Sequence, residues 1–251
     1  MKLLLDGGNT RVKWSCWEAG VPGASGGVAH GGSDWADLPR RLDAALGSVT
    51  PEAVWVVEVL GHDFRCACRE LCEVRGWPVP RFFSSDPALH GIYSDYLEPA
   101  RLGLDRYAAM AGARALGHET AIIVDCGTAV TLDLLVPEGR HRGGLILPGL
   151  GLMRRSLGRA PGVAGMTEGK DDCHVAVCTA DAVASGTLQG LAAAIAHLSR
   201  GLLKNMGADG VAPARLLTGG DARHLQPLLD DDWSVEPHLV FRGLAHVADR
   251  D

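Results

Sequence analysis

Short apolar runs separated by glycine- and proline-containing turns fill most of the chain, and their period alternates between that of strands and that of helices. Residues 2–6, 11–18 and 26–30 read as strands of a meander, with Gly20, Pro22, Gly23 and Gly26 at the turns. Ser33 or Asp34 can cap a helix on which Leu38, Leu42 and Leu46 recur at every fourth position. A buried strand at 53–57, a helix at 63–76 and a short strand at 79–83 follow, so the first half is βββαβαβ. Residues 84–104 carry Pro87, Gly91, Pro99 and Gly103 with little periodicity and read as a long loop, a kind that commonly serves function. From Asp105 to Leu116 a helix is predicted, with Tyr107, Ala108, Ala111, Gly112 and Ala115 making a small-residue face suited to close packing. Strands at 121–126, 129–135 and 143–147, helices near 149–158 and 180–206, a strand at 214–218, a helix at 221–229, a strand at 236–240 and a last helix to about 249 repeat the order.

Two hairpin tips stand out in this pattern. Residues 121–135 form an apolar run that ends in Asp125, turns through Gly127 and Thr128 and leaves as a second β-rich run. Near the start, Leu3-Leu4-Leu5 runs into Asp6-Gly7-Gly8-Asn9-Thr10 and then Val12-Lys13-Trp14. Aligning Asp6 with Asp125 puts Gly8 on Gly127 and Asn9 on Thr128, so strand, turn and strand recur once in each half. The element order resembles the actin-like, sugar-kinase type of duplicated ribonuclease-H-like α/β fold. That resemblance implies two similar halves, residues 1–104 with the long loop and residues 105–251, with a nucleotide cleft between them.

Composition narrows the function classes. A 47% hydrophobic and 22% charged chain of 251 residues can bury a sizeable core. A net charge of −6 without a basic block argues against a nucleic-acid surface, because phosphate-backbone binding needs clustered Lys and Arg. No apolar stretch approaches the roughly 20 residues of a membrane span, and Met1-Lys2 leads straight into a strand, so a cytoplasmic protein is expected. Seven cysteines are an odd count and suit reduced thiols. Cys66, Cys68 and Cys72 beside His62 lack paired CxxC spacing, and Cys68 and Cys72, four apart, read as small apolar residues on a helix face.

In the first tip, glycines let backbone amides approach an anion, Asn9 and Thr10 supply side-chain donors and Lys13 adds positive charge. A hairpin that uses Gly-Asn only for its turn geometry is the plainer alternative. Asp6 and Asp125 each end an apolar strand, and a buried carboxylate costs several kcal/mol unless a cation or donors compensate. Oxygen ligands suit Mg²⁺ or a monovalent cation, Cys126 pointing to the opposite face; an Asp that merely fixes the turn is the alternative. Asp105 and Arg106 follow Gly103-Leu104 at a helix N-terminus, where the helix dipole alone would favour the acid.

The combination is more specific than its parts. Asp6-x-Gly8-Asn9-Thr10-x-x-Lys13, Gly103-x-Asp105-Arg106, Asp125-x-Gly127-Thr128-Ala129-x-Thr131-x-Asp133 and Gly143-Gly144-x-Ile146-x-Pro148-Gly149 occur in order, followed by Thr179-x-x-Ala182-x-x-Ser185-Gly186 and Thr218-Gly219-Gly220. This ordered set resembles the type III pantothenate kinases. The resemblance implies ATP-dependent phosphorylation of pantothenate to 4'-phosphopantothenate, the entry step of coenzyme A biosynthesis. It implies that Asp6, Gly7, Gly8, Asn9, Thr10, Arg11, Val12, Lys13 and Thr128 hold ATP, that Asp125 ligates potassium or ammonium, and that Mg²⁺ accompanies the nucleotide. Asp105 matches the general base, and Tyr96, Gly103, Leu104, Asp105, Arg106 and Thr179 match the pantothenate contacts of a homodimeric enzyme.

Phosphoryl transfer agrees with the residues read alone, since it needs positioning and charge neutralisation more than a nucleophile. No Ser or Cys nucleophile with a His partner is evident, and His30, His62, His90, His118 and His224 read as surface or core residues. The chain departs from the family pattern at Gly7, at Glu58 and across 154–162. A nonenzymatic accessory or regulatory relative, disfavoured by an intact Asp105, Arg106 and Asp125, and an actin-like ATPase or phosphatase are the competing readings.

Overall fold

The structure is a computed structural model that describes residues 1–32, 35–166, 168–204, 212–229 and 232–250. The chain packs as two compact units, the first made of residues 1–119, 137–141 and 238–251 and the second of 120–136 and 142–237.

The first unit opens with β1 (Lys2–Gly7), β2 (Arg11–Glu18) and β3 (Val21–Ala29), an antiparallel meander. It continues through α1 (Leu38–Leu46), β4 (Ala53–Glu58), α2 (His62–Val74) and the two-residue β5 (Arg81–Phe82), giving the sheet order β3-β2-β1-β4-β5 with β4 parallel to β1. Leu3, Leu4 and Leu5 are all fully buried, as a strand covered on both faces requires. Leu3 and Leu5 pack with Val54, Val56 and the inner faces of α1 and α2, which include Leu38, Leu42, Phe64, Cys68 and Cys72. The two cysteines therefore sit on an apolar helix face, as their spacing predicts, and burial pushes the Cys72 thiol up to about 11.

Residues 84–104 are more structured than a plain loop. They hold α3 (Pro87–His90), begun by Asp86 accepting from the Ala88 N–H at 2.9 Å, then β6 (Tyr93–Ser94) and a 3-10 turn at Pro99–Arg101, before α4 (Leu104–Ala115).

The second unit repeats the plan. β7 (Ala121–Cys126), β8 (Ala129–Val136), β9 (Arg140–Pro148), α5 (Leu150–Leu157), α6 (Thr179–Leu203), β10 (Ala214–Thr218), α7 (Ala222–Leu225) and β11 (Trp233–Val235) give the strand order β11-β10-β7-β8-β9. Counted from each unit's own first strand, the orders are identical, with the first two strands antiparallel and the first and fourth parallel. Ile122, Val124 and Cys126 face an apolar core with Leu188, Leu191 and Ile195 of α6, so Asp125 lies on the other face of β7. The first two residues of β9 belong to the first unit and pair there with β6.

The chain ends in α8 (Leu239–Ala248), packed on α4 in the first unit. A Cβ at Gly112 would run into the Leu239 carbonyl oxygen, and one at Gly243 into that of Ala108, so bare glycine backbones set this crossing. The small-residue face predicted for 105–116 is this contact. The strand predicted at 236–240 is instead β11 at Trp233–Val235, because the apolar residues Leu239, Val240, Phe241 and Leu244 follow the helical period of α8. The helix predicted at 221–229 stops after one turn, and a 3-10 turn containing Pro227 follows. The first helix begins after Asp37, and the proposed caps Ser33 and Asp34, like the end of the helix predicted to 206, lie outside the described residues. Among the described residues no helix is long and apolar enough to cross a membrane.

Candidate active site

The first tip joins β1 to β2. The Gly8 N–H donates to the Arg11 carbonyl at 3.1 Å and closes the turn, leaving Asn9, Thr10 and Arg11 at the surface. Asp6 is nearly buried and pairs in register with Lys13, whose Nζ stands 3.8 Å from Asp6 Oδ2. The lysine thus offsets part of the cost of burying this carboxylate. Val12 points into the core, so only its backbone is available to a ligand, and Arg11 reaches back to donate to the Gly27 carbonyl at 3.1 Å.

Two departures from the family pattern explain one another here. A Cβ at Gly7 would lie 2.7 Å from Phe64 Cε1, so the aromatic ring of α2 fills the space an apolar residue would take. Glu58, the register partner of Gly7, is buried and accepts from the Leu60 and Gly61 N–H groups at 2.6 Å each and from Arg65 Nε at 2.6 Å. It ties the turn before α2 to the helix that carries Phe64.

The second tip joins β7 to β8 and is closed by the Gly127 N–H donating to the Ala129 carbonyl at 3.1 Å. Gly149, at the start of α5, donates to the Thr128 carbonyl at 3.0 Å and packs so closely on Gly127 and Thr128 that no side chain would fit. Gly219, at φ +90°, packs against the Asp125 carboxylate in the same way. The Asp221 N–H reaches the Cys126 carbonyl at 3.0 Å, and burial raises the Asp221 carboxyl above the usual range, with His224 and Arg154 countering. Register sets Thr131 and Thr218 beside Asp125 on neighbouring strands. A half-buried carboxylate flanked by hydroxyls, with the Cys126 thiol turned into the core, is an oxygen donor set that fits a hard cation. Among the described residues no group of three or more His, Cys, Asp and Glu side chains could cage a metal ion.

Five of the expected pantothenate contacts come together in the first unit. Leu104, Asp105 and Arg106 open α4 after Gly103, and the Arg106 N–H donates to Asp105 Oδ1 at 2.8 Å. The buried Arg106 guanidinium donates through Nη1 to the Tyr96 hydroxyl at 2.8 Å and stacks 5.5 Å from that ring's centre. Tyr96 is held from behind. Its N–H donates to Ser94 Oγ at 3.2 Å, Ser94 Oγ lies 2.9 Å from His141 Nδ1, and the rings of Tyr96 and His141 are 5.5 Å apart. Ser94 and the fully buried His141 had no sequence signal, since only the pairing of β6 with the start of β9 joins them. Thr179, the sixth expected contact, is exposed at the start of α6 in the second unit. The divergent stretch before it is tied down by Arg154, which bonds Asp171 at 3.4 Å and Thr187 at 3.2 Å.

Two units with one strand order, each carrying an acid at the end of its first strand, define a duplicated ribonuclease-H-like protein of the actin-like, sugar-kinase type. Solved structures share that fold. A ROK family glucokinase from Streptomyces griseus, in complex with glucose and AMPPNP, matches over 99% of this chain and 98% of its own with a TM-score of 0.55 at 13% identity. A conserved Baf family protein from Campylobacter jejuni matches over 99% and 98% with a TM-score of 0.59 at 22% identity. The chain belongs to the type III pantothenate kinase family, whose model matches residues 2–201. Type III pantothenate kinases from Alkalilimnicola ehrlichii and Leptothrix cholodnii are 38% and 37% identical, over 98% of this chain in each case and 97% and 95% of theirs.

Proposed function

We propose that this protein transfers the γ-phosphoryl group of ATP to the hydroxyl of pantothenate, with Asp105 as general base. The observation that carries the reading is the cluster of Tyr96, Arg106 and Asp105 at the start of α4, in a chain of this family. Arg106, fixed by Tyr96, supplies donors for the substrate's polar groups, and Asp105, fixed through Oδ1, takes the proton of the acceptor hydroxyl. The hydroxyl oxygen then bonds the γ-phosphorus as the bond to the β–γ bridging oxygen breaks, and ADP leaves.

Gly8, Asn9, Thr10 and Lys13 of the first tip and Thr128 of the second hold the phosphates, and Asp6 keeps Lys13 in place. Asp125 holds a potassium or ammonium ion, and Mg²⁺ enters with the nucleotide; these ions neutralise phosphate charge. Turnover should fall when sodium replaces potassium, and Asp125→Ala should erase that difference; a retained potassium response would contradict the assignment. Exposed Leu145, Ile146, Leu152 and Leu157 on β9 and α5 suit a second copy of the chain, and sedimentation should give the mass of two chains rather than one.

Asp105→Asn tests the base directly. Replacing the carboxylate by an amide of the same shape should leave MgATP binding intact and lower kcat by about 10² or more. An unchanged kcat would remove Asp105 from the role.

A further inference from the structure

His30 sits one residue beyond β3 and touches the first tip twice. Its own N–H donates to the Thr10 carbonyl at 3.0 Å, and its ring Nε2 lies 2.8 Å from the Gly8 carbonyl oxygen. The Gly32 N–H points at the other ring nitrogen, Nδ1, at 3.1 Å. Nδ1 must accept that bond, so the neutral ring carries its proton on Nε2 and donates it to the Gly8 carbonyl.

The ring is itself wedged in place. Its centre is 4.9 Å from that of Trp35, and Trp35 meets Phe64 edge-on at 5.6 Å. Phe64 is the ring that fills the space over Gly7, so one aromatic series backs both tip glycines.

We propose that His30 is a positioning residue for nucleotide binding, acting through the Gly8–Asn9 peptide. In a trans peptide the carbonyl and the following N–H point in opposite directions. A donor that holds the Gly8 carbonyl toward β3 therefore holds the Asn9 N–H outward, where a phosphate approaches. The Gly8 N–H is already used within the turn, which makes the orientation of the next amide the one the ligand depends on. Nothing in the spacing of His30, 22 residues from Gly8, signals this.

The inference rests on reading this tip as the phosphate holder, and the experiment separates the two. The dissociation constant for MgATP is measured by calorimetry, beside the melting temperature, for the wild type and for Gly8→Ala, His30→Ala, His30→Phe and His30→Gln. His30→Phe keeps a ring on Trp35 but has no donor, whereas the glutamine amide can still donate to the Gly8 carbonyl. MgATP binding should weaken about tenfold in the alanine and phenylalanine variants, the scale of one neutral hydrogen bond, and recover to within about threefold of wild type in the glutamine variant. KM for pantothenate should not move. Wild-type affinity in His30→Phe, or a glutamine variant as weak as alanine at an equal melting temperature, overturns the role of His30 alone. A wild type that binds no MgATP, or a Gly8→Ala variant that binds it unaltered, overturns the reading of the tip and this inference with it.

Discussion

An alanine methyl at Gly8 would lie 3.5 Å from the Arg11 carbonyl oxygen, and one at Gly127 would lie 3.5 Å from that of Ala129, ordinary contacts in both turns. Neither glycine has the positive φ that would exclude a side chain. The fold therefore has room for alanine at two positions where both halves carry glycine, and what the methyl would obstruct is the outside of the turn. Gly8→Ala should keep the wild-type melting temperature to within a few degrees and raise KM for ATP about tenfold or more; a lower melting temperature with unaltered KM would mark the glycine as structural. The acids and glycines of both tips were legible in the sequence because strand, turn and strand are local. What Glu58 and His30 do there was not, because each reaches its tip from another strand or its end.

At the scale of elements, α4 carries Asp105 and Arg106, and its placement depends on α8. The small-residue face of α4 was readable, but its partner was not, since residues 239–241 taken alone fit a strand as well as a helix. Gly112→Ala tests the contact, because the new methyl meets the Leu239 carbonyl, and backbone cannot swing aside as a side chain can. Urea unfolding should give a loss of about 1–3 kcal/mol or more, and an alanine variant as stable as wild type would show that the helices slide apart freely. The long loop was the harder reading. Asp86, Pro87 and Gly91 read as turn residues, yet Asp86 caps, Pro87 starts and the left-handed Gly91 ends the single turn of α3, too short to show a helical period; the pairing of β6 with β9 involves two residues of each strand and leaves no periodic trace.

Over the whole molecule, duplication and compactness divide the chain differently. The strand order repeats from β7 onward, whereas packing assigns α4 and α8 to the first unit, so Tyr96, Asp105 and Arg106 share a compact body with the first tip while Asp125 and Thr128 belong to the second. The duplicated α/β fold and the family were legible because motifs recur in order along nearly the whole length, and the chain matches 98% of itself to relatives 38% and 37% identical. The reaction is the claim on which the roles of all these residues depend. ADP release from MgATP, followed in potassium with and without pantothenate, tests it most directly: release should require pantothenate and yield one phosphopantothenate per ADP, and equal release without pantothenate would contradict the account.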